Sequence, residues 1–511
     1  MSRLLTALLT SMCLVSAFVA ATAGAEPPAQ VVPTSTEFPT GAPAVIDLPQ
    51  IGDPADTALS PAEENALGAR VVSEMYRYEF ILEDVELQDY LSTLGWRLAA
   101  ASGTNRSKFE FFFVKDPRIN AFALPGGYIG FNAGLLLAAD TESEVAGVMA
   151  HELAHVTQRH IARSQAESGG MATIATWAAV LAAIIAGSAD PDVVLAALSI
   201  GQASAYERQV SYTRAHEIEA DRIGINTLSE GGFDPEAMGS FFQKLEQQTR
   251  LYGSQIPDIL RTHPVNTTRV AEARSRAANM PKRPVQNSIE FGLMKARTQV
   301  YAANQPSDAV EAFSAIMASG KDKDTIANRY GLAYALHELG QNDRAKQVLQ
   351  PALDRNPRQP NLNLLMAAIQ SDGEDADKGL AIYQRTLALY PQFAPAILEY
   401  AEALIRAGQP ELARQVLLSH EQHLGTRLDT YRLLAQAARE MDNDAEASYQ
   451  MATYLYLRGD AGGALSQLDA GLRIASLTPQ DRARLAARRA EVRESLPRNY
   501  ELEPRRDRTR Y

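Results

Sequence analysis

Hydrophobic and polar positions recur along this chain with two different periods, and those periods predict its elements. From Ser60 the apolar positions Leu67, Val71, Met75 and Tyr78 return about every turn, which predicts an amphipathic helix. The run Phe109-Glu110-Phe111-Phe112-Phe113-Val114 is dense in aromatic and β-forming side chains and predicts a strand. Ala121–Leu124 and Tyr128–Phe131 flank Pro125-Gly126-Gly127 and predict a hairpin. Thr141-Glu142-Ser143-Glu144 has the form of a capping box with Thr141 as N-cap. It opens a helix expected to run to about Arg163. Two Ala-rich apolar stretches, Met171–Gly187 and Val193–Ser204, lie on either side of Asp190-Pro191-Asp192 and read as a helical hairpin. A later helix carries His216–Leu228 and stops at Gly231-Gly232.

From about Pro306 the pattern changes to repeated short amphipathic helices. Tyr330 to Gly340 resembles Glu399 to Gly408, and each segment ends in Gly-Gln. Gly340 and Gly408 are two periods of about 34 residues apart, and each is followed five positions on by alanine, Ala345 and Ala413. Pro357 and Pro391 are one such period apart, as are Ala413 and Ala447. Small residues where paired helices touch, with proline after the second helix, are the tetratricopeptide signature. The phase blurs after about Tyr449.

The N-terminus follows neither period. Arg3 precedes an apolar run from Leu4 to about Ala21, then Ala23-Gly24-Ala25, the layout of a cleaved secretory signal peptide. The run is short for a membrane span of about 20 residues. Residues 26–57, rich in Pro, Thr, Ala and Gly, read as a flexible segment. The chain thus divides into a signal peptide (1–25), this segment (26–57), a first globular domain (58–285), the repeats (290–500) and a polar tail (501–511). The expected fold is mainly α: an α+β domain with a small sheet, followed by an α-solenoid. On this division a chain ended before Pro306 keeps a folded first domain. With 511 residues, 46% of them hydrophobic, large cores are available. The formal net charge of -12 argues against a nucleic-acid binder. Cys13 is the sole cysteine and falls in the signal segment, so no disulfide is expected.

Candidate chemistry sits on the helix opened by Thr141. His151 and His155 are four residues apart and project from one helix face one turn apart. Two neutral imidazoles so spaced can both reach a Zn²⁺ at about 2.0–2.1 Å. Glu152 lies between them, angled to hold a water rather than the metal. A hydrolytic zinc needs three protein ligands and an open position. Glu217 and Asp221 share a face of the later helix: the first can complete the ligand set, and the second can orient a ligand imidazole. His216 points about 100° away from Glu217 on that helix. His160, His337, His420 and His423 are expected on solvated faces or in repeat packing.

Asn120-Ala-Phe-Ala-Leu-Pro-Gly-Gly-Tyr-Ile-Gly, His151–His155 and Glu217-x-Glu-Ala-Asp221, taken together, resemble the gluzincin family of the HtpX heat-shock protease and the CAAX prenyl endopeptidase. The resemblance spans about Ser60 to Arg274 and implies a zincin-type metallopeptidase domain with one Zn²⁺ per subunit. It implies His151, His155 and Glu217 as zinc ligands and Glu152 as general base, with Asp221 beside them as the group that can orient a ligand imidazole. It also implies that Asn120, Ala121, Phe122 and Ala123 form a substrate-binding edge strand, to which an extended peptide adds by main-chain hydrogen bonds. Leu260-Arg-Thr-His263-Pro264 resembles the family's His-Pro loop, in which the histidine can take the open zinc position and hold the enzyme latent.

With a signal peptide and repeats attached, the resemblance implies a periplasmic zinc metalloendopeptidase in quality control of outer-membrane β-barrel proteins. Its expected partners are unfolded or misassembled outer-membrane proteins and the β-barrel assembly machinery. Two other readings stay open. One is a repeat-based chaperone or scaffold with a mostly latent protease. The other is a membrane-embedded metalloprotease using Met171–Ser204 as a hairpin in the bilayer, although the second arm is too short to span. That hairpin fits a lid with peripheral membrane contact better.

Overall fold

The computed structural model describes residues 59–104, 108–167, 213–252, 257–282, 287–373 and 376–496. The signal segment, the stretch 26–57, the hairpin Met171–Ser204 and the tail 501–511 lie outside the described residues. Among the described residues no helix is long and apolar enough to cross a membrane.

The described residues open with α1 (Pro61–Arg77) and α2 (Val85–Ala101). Both have the N-caps their sequences provide. Ser60 and Glu63 form a complete capping box, and Asp84 Oδ1 accepts from the backbone N–H of Leu87. Strands β1 (Glu110–Val114), β2 (Ala121–Leu124) and β3 (Tyr128–Asn132) follow. β2 and β3 form the expected hairpin, while β1 pairs parallel to β3, giving the order β1-β3-β2 with β2 at an edge. The hairpin turn needs its glycines: Gly126 and Gly127 have φ of 87° and 97°, and a Cβ on Gly126 would sit 2.6 Å from Asn65 Cα.

After α3 (Ala133–Ala138), α4 (Glu142–Thr157) runs through the middle of the domain. Every residue from Ser143 to Val156 is buried, so α4 is enclosed on all sides. Its capping box is half formed. Thr141 Oγ1 accepts from Glu144 N–H, but the Glu144 carboxylate takes Asp140 N–H and Lys244 instead. The helix also stops earlier than expected. It ends at Thr157, Arg159 adopts φ 51°, and α5 (His160–Glu167) starts on a new axis.

Helix α6 (Arg214–Glu230) packs against α4. The contact is close because Gly224 has no side chain: a Cβ there would lie 3.1 Å from His151 N and 3.2 Å from Ala150 C. Helices α7 (Glu236–Tyr252), α8 (Asp258–Thr262) and α9 (Thr267–Ala278) complete this half.

The second half is helical throughout its described residues: α10 (Ile289–Ala302), α11 (Pro306–Ala318), α12 (Ile326–Glu338), α13 (Asn342–Arg355), α14 (Pro360–Ser371), α15 (Ala376–Leu389) and α16 (Ala394–Arg406), then further pairs to α-helix Pro479–Glu494. The sequence landmarks have physical jobs here. Gly340 and Gly408 have φ of 70° and 71° and end α12 and α16. Gly340 N–H donates to His337 O and Gln341 N–H to Leu336 O, the paired bonds of a Schellman cap; Gly408 and Gln409 repeat them on Ile405 and Leu404. Ala345 and Ala413 are fully buried at helix–helix contacts.

The boundary near 285–290 does not separate two cores. One continuous apolar cluster runs from Leu91 and Phe131 through Phe291 and Met294 of α10 to Tyr330 and Leu362 of the repeats. A buried polar knot lies at the same junction. Arg297 donates to Asp84 Oδ2 at 2.8 Å, to Glu86 Oε1 at 2.5 Å and to the Tyr330 hydroxyl at 2.8 Å. Asn361 Nδ2 donates to the other Glu86 oxygen. Later repeats reach the same region through Arg427–Asp89 and Arg458–Glu83. Removing the repeats would therefore expose part of this shared apolar cluster.

Two outcomes follow. Arg297→Ala, which leaves Asp84 and Glu86 buried without their cation, should cost about 3–5 kcal/mol of stability, read as a lowered urea midpoint of the full chain. A chain ended after Gln305 should melt well below the full protein or aggregate; an unchanged melting temperature would restore the separable-domain picture.

Candidate metal centre

Two helices and one short loop bring the predicted residues together. On α4, His151 and His155 point the same way, with their Nε2 atoms 2.9 Å apart. On α6, the Thr213 hydroxyl accepts from His216 N–H and caps the helix, which sets Glu217 in its first turn. Glu217 Oε1 lies 3.4 Å from His155 Nε2, and its Oε2 lies 3.6 Å from His151 Nε2. His263 follows α8, and its Nδ1 is 2.9 Å from Glu217 Oε1 and 3.4 Å from His151 Nε2. One donor atom from each of these four residues falls within 4.8 Å of the others, and all four residues are buried.

Three imidazoles and a carboxylate converging in this way suit a borderline-soft cation such as Zn²⁺, which takes nitrogen and oxygen ligands four at a time. Glu152 supplies a second test. It is fully buried, and its two carboxylate oxygens accept no hydrogen bond among the described residues. The nearest basic atom is His263 Nε2 at 3.5 Å. A buried carboxylate left so is costly unless a water or cation belongs beside it, so the residues present fit a metal.

Charge around the site is tightly organised. Asp221 Oδ1 lies 2.9 Å from His151 Nδ1, where it can fix that ring's tautomer. Asp221 is in turn gripped by Arg269, whose Nε and Nη2 donate to its two oxygens at 2.7 and 2.8 Å. Arg269 Nη1 also lies 2.7 Å from Glu217 Oε2 and donates to Pro264 O, the carbonyl next to His263. Arg269 escaped the sequence reading. The one signal was its position three residues after the Asn266 N-cap of α9, a first turn where the helix dipole disfavours a cation.

Burial alone would raise Glu217 and Asp221. It is outweighed by His263, His151 and His155 around Glu217, and by Arg269 and His151 around Asp221, so both stay below their ordinary values. Burial pushes His155 well below the usual imidazole value. Burial also pulls His151 down, but hydrogen bonding to Asp221 and Glu217 prevails and raises it to about 10.

The residues singled out as an edge strand pack on the helix that carries His151 and His155. β2 packs on α4, Asn120 O accepts from Asn132 N–H, and the backbone N–H of Ile259 in α8 donates to Ile119 O just before Asn120. A small apolar pocket opens next to Glu152 and His263, lined by Val148, Phe242, Leu245, Ile259, Leu260 and Val265. His216 is buried but not among the four converging donors. His160, expected on a solvated face, is fully buried behind His155, because the turn at Arg159 folds it inward.

The Peptidase family M48 model matches residues 86–277, and a tetratricopeptide repeat model matches 300–369 and 372–422. The chain is 34% identical over 450 residues to the beta-barrel assembly-enhancing protease of Yersinia pestis, covering 87% of this chain and 91% of that one. It is 34% identical over 452 residues to the protein of the same name from Escherichia coli K12, covering 88% and 91%. The mitochondrial metalloendopeptidase OMA1 of Arabidopsis thaliana is 29% identical over 216 residues, 42% of this chain and 41% of that one.

The raised His151 has a measurable consequence. At pH 7, below about 10, the metal-free ring holds two protons, and a metal ligand can keep only one. His155 and Glu217 need lose none. Zn²⁺ uptake at pH 7 should therefore release about one proton per ion, and affinity should rise with pH towards 10. Calorimetry in two buffers of different ionisation enthalpy measures this; release of none would mean that His151 is already neutral.

Proposed function

The chain belongs to the family of the beta-barrel assembly-enhancing proteases, and on that premise we propose that it is a periplasmic zinc endopeptidase acting in the quality control and assembly of outer-membrane β-barrel proteins. It is a metallopeptidase with a tetratricopeptide-repeat half. The single observation that carries the chemical reading is the convergence of His151, His155, Glu217 and His263 beside a buried Glu152 that no other described group hydrogen-bonds.

His151, His155 and Glu217 would hold the ion, one per subunit, and a Zn²⁺ there would supply Lewis-acid polarisation of a peptide carbonyl and acidify a neighbouring water. Glu152 takes the proton from the attacking water and passes it to the leaving amine. Asp221, held by Arg269, keeps His151 in the tautomer that offers Nε2 to the metal. The edge strand, Asn120 to Ala123, aligns an extended substrate by main-chain hydrogen bonds. A small apolar pocket of Val148, Phe242, Leu245 and Ile259 adjoins Glu152 and His263.

The proposed substrates are unfolded or stalled outer-membrane proteins, with the assembly machinery as partner. The relatives' name supports this reading, as does a solenoid whose stacked helix pairs form a surface suited to extended segments. An apolar run and small-residue site at the N-terminus support export. A second reading, a repeat scaffold whose protease is mostly silent, is favoured by the position of His263. Its Nδ1 sits within the ligand cluster, where it would compete with a water for a bound ion.

Glu152→Gln should lower cleavage of an unfolded β-barrel substrate about 10²–10⁴-fold with zinc content unchanged. If assembly defects in cells are then rescued as well as by the wild type, the scaffold reading is the better one. His263→Ala, compared at equal zinc occupancy on one unfolded substrate, should cleave faster if the histidine is a latch. Slower cleavage would instead assign it to stabilising the oxyanion.

A further inference from the structure

The metal-ligand helix has a second imidazole behind it that neither the spacing nor the ligand set accounts for. Had α4 continued to Arg163, residue 160 would stand about 140° around the axis from His155 and could not touch it. Instead α4 ends at Thr157, Arg159 takes the left-handed φ of 51°, and His160 begins a new helix with its ring turned back. His160 Nδ1 then lies 2.8 Å from His155 Nδ1, the ring nitrogen on the far side from the ligand cluster. The other His160 nitrogen, Nε2, is 3.2 Å from Glu219 Oε2, which also accepts from Arg163 Nη1 at 3.0 Å. His160 is fully buried, and the ring of His216 stacks on it at 4.5 Å and 18°. The turn itself is tied down from α1 and the residue before its cap. Arg159 donates to Glu64 Oε1 at 3.3 Å and to Leu59 O at 2.6 Å.

Among the described partners, one arrangement of protons satisfies this chain when His155 offers Nε2 to a cation. His155 Nδ1 must then carry its hydrogen and donate it to His160 Nδ1. His160 therefore carries its own hydrogen on Nε2 and donates to the Glu219 carboxylate. Both roles agree with the observed partners. His151 has the shorter version of the same device, a carboxylate directly on its Nδ1.

We propose that His160 and Glu219 are positioning residues for the metal: a carboxylate–imidazole relay that locks the tautomer and ring orientation of His155, delivered by the left-handed turn at Arg159. The proposal rests on the metallopeptidase reading above. It extends the outer support of the site from the first histidine to the second, through residues that touch no substrate.

The test uses the full chain and Zn²⁺ affinity by chelator competition, with the visible absorption of the Co²⁺-substituted protein as a second readout. His160→Phe keeps bulk and removes the acceptor, while His160→Asn offers an oxygen near the position of Nδ1. His160→Phe should weaken Zn²⁺ binding about 10–100-fold and shift the Co²⁺ bands, and His160→Asn should recover most of both. Equal affinity and identical bands in His160→Phe and wild type would overturn the relay. So would equal weakening by Phe and Asn, which would reduce His160 to packing. Near-UV circular dichroism of the metal-free variants monitors the fold. If His160→Phe fails to fold, Glu219→Gln at the relay's outer end decides: weakened binding supports it and unchanged binding overturns it. A wild-type chain that takes up no Zn²⁺ would instead sink the metallopeptidase reading itself.

Discussion

Three carboxylates and three imidazoles share one buried space at the centre of this protein, and Arg269 makes that density tolerable. Glu152, Glu217 and Asp221 are each nearly or fully inaccessible to solvent, so their charges must be answered locally. Arg269 answers two of them and ties them to Pro264, so one side chain joins the ligand helix, the orienting carboxylate and the His263 loop. Glu152 alone is left outside this grip. Its nearest basic neighbour among the described residues is His263 Nε2, at 3.5 Å. The same packing that holds Asp221 and Glu217 leaves the Glu152 carboxylate without a hydrogen bond among the described residues.

Much of the site could be read from spacing because helices are local. His151 and His155, or Glu217 and Asp221, share a face whatever the rest of the chain does. What spacing could not give is how two helices meet. Their register rests on Gly224 lying against the His151 turn, a contact between residues more than seventy apart in the sequence. Arg269 and His160 were missed for related reasons. Arg269 acts across helices, and His160 is placed by a left-handed residue that is neither glycine nor asparagine and so leaves no composition signal.

The repeats divide in the same way. Gly340, Gly408 and the buried alanines were legible because caps and close helix contacts recur within each unit. The hairpin of β2 and β3 was legible from its turn, whereas the parallel pairing of β1 with β3 was not, being set by a chain reversal outside either strand. The junction was the least legible feature. Asp84, Glu86 and Arg297 look like ordinary surface charges in the sequence, and only the fold buries them together.

That junction also bears on how the protein comes to be. Glu86 meets Arg297 and Asn361 across separations of 211 and 275 residues, and Asp89 meets Arg427 across 338. Contacts so distant along the chain pay their loop-closure entropy late and slow the search for the native state. The catalytic half is synthesised first, yet the helix that carries Asp84, Glu86 and Asp89 gains its last neighbours only when the solenoid has folded onto it. Full packing of that helix against the peptidase half and the repeats is thereby a late event of folding, reached only once the C-terminal half is in place.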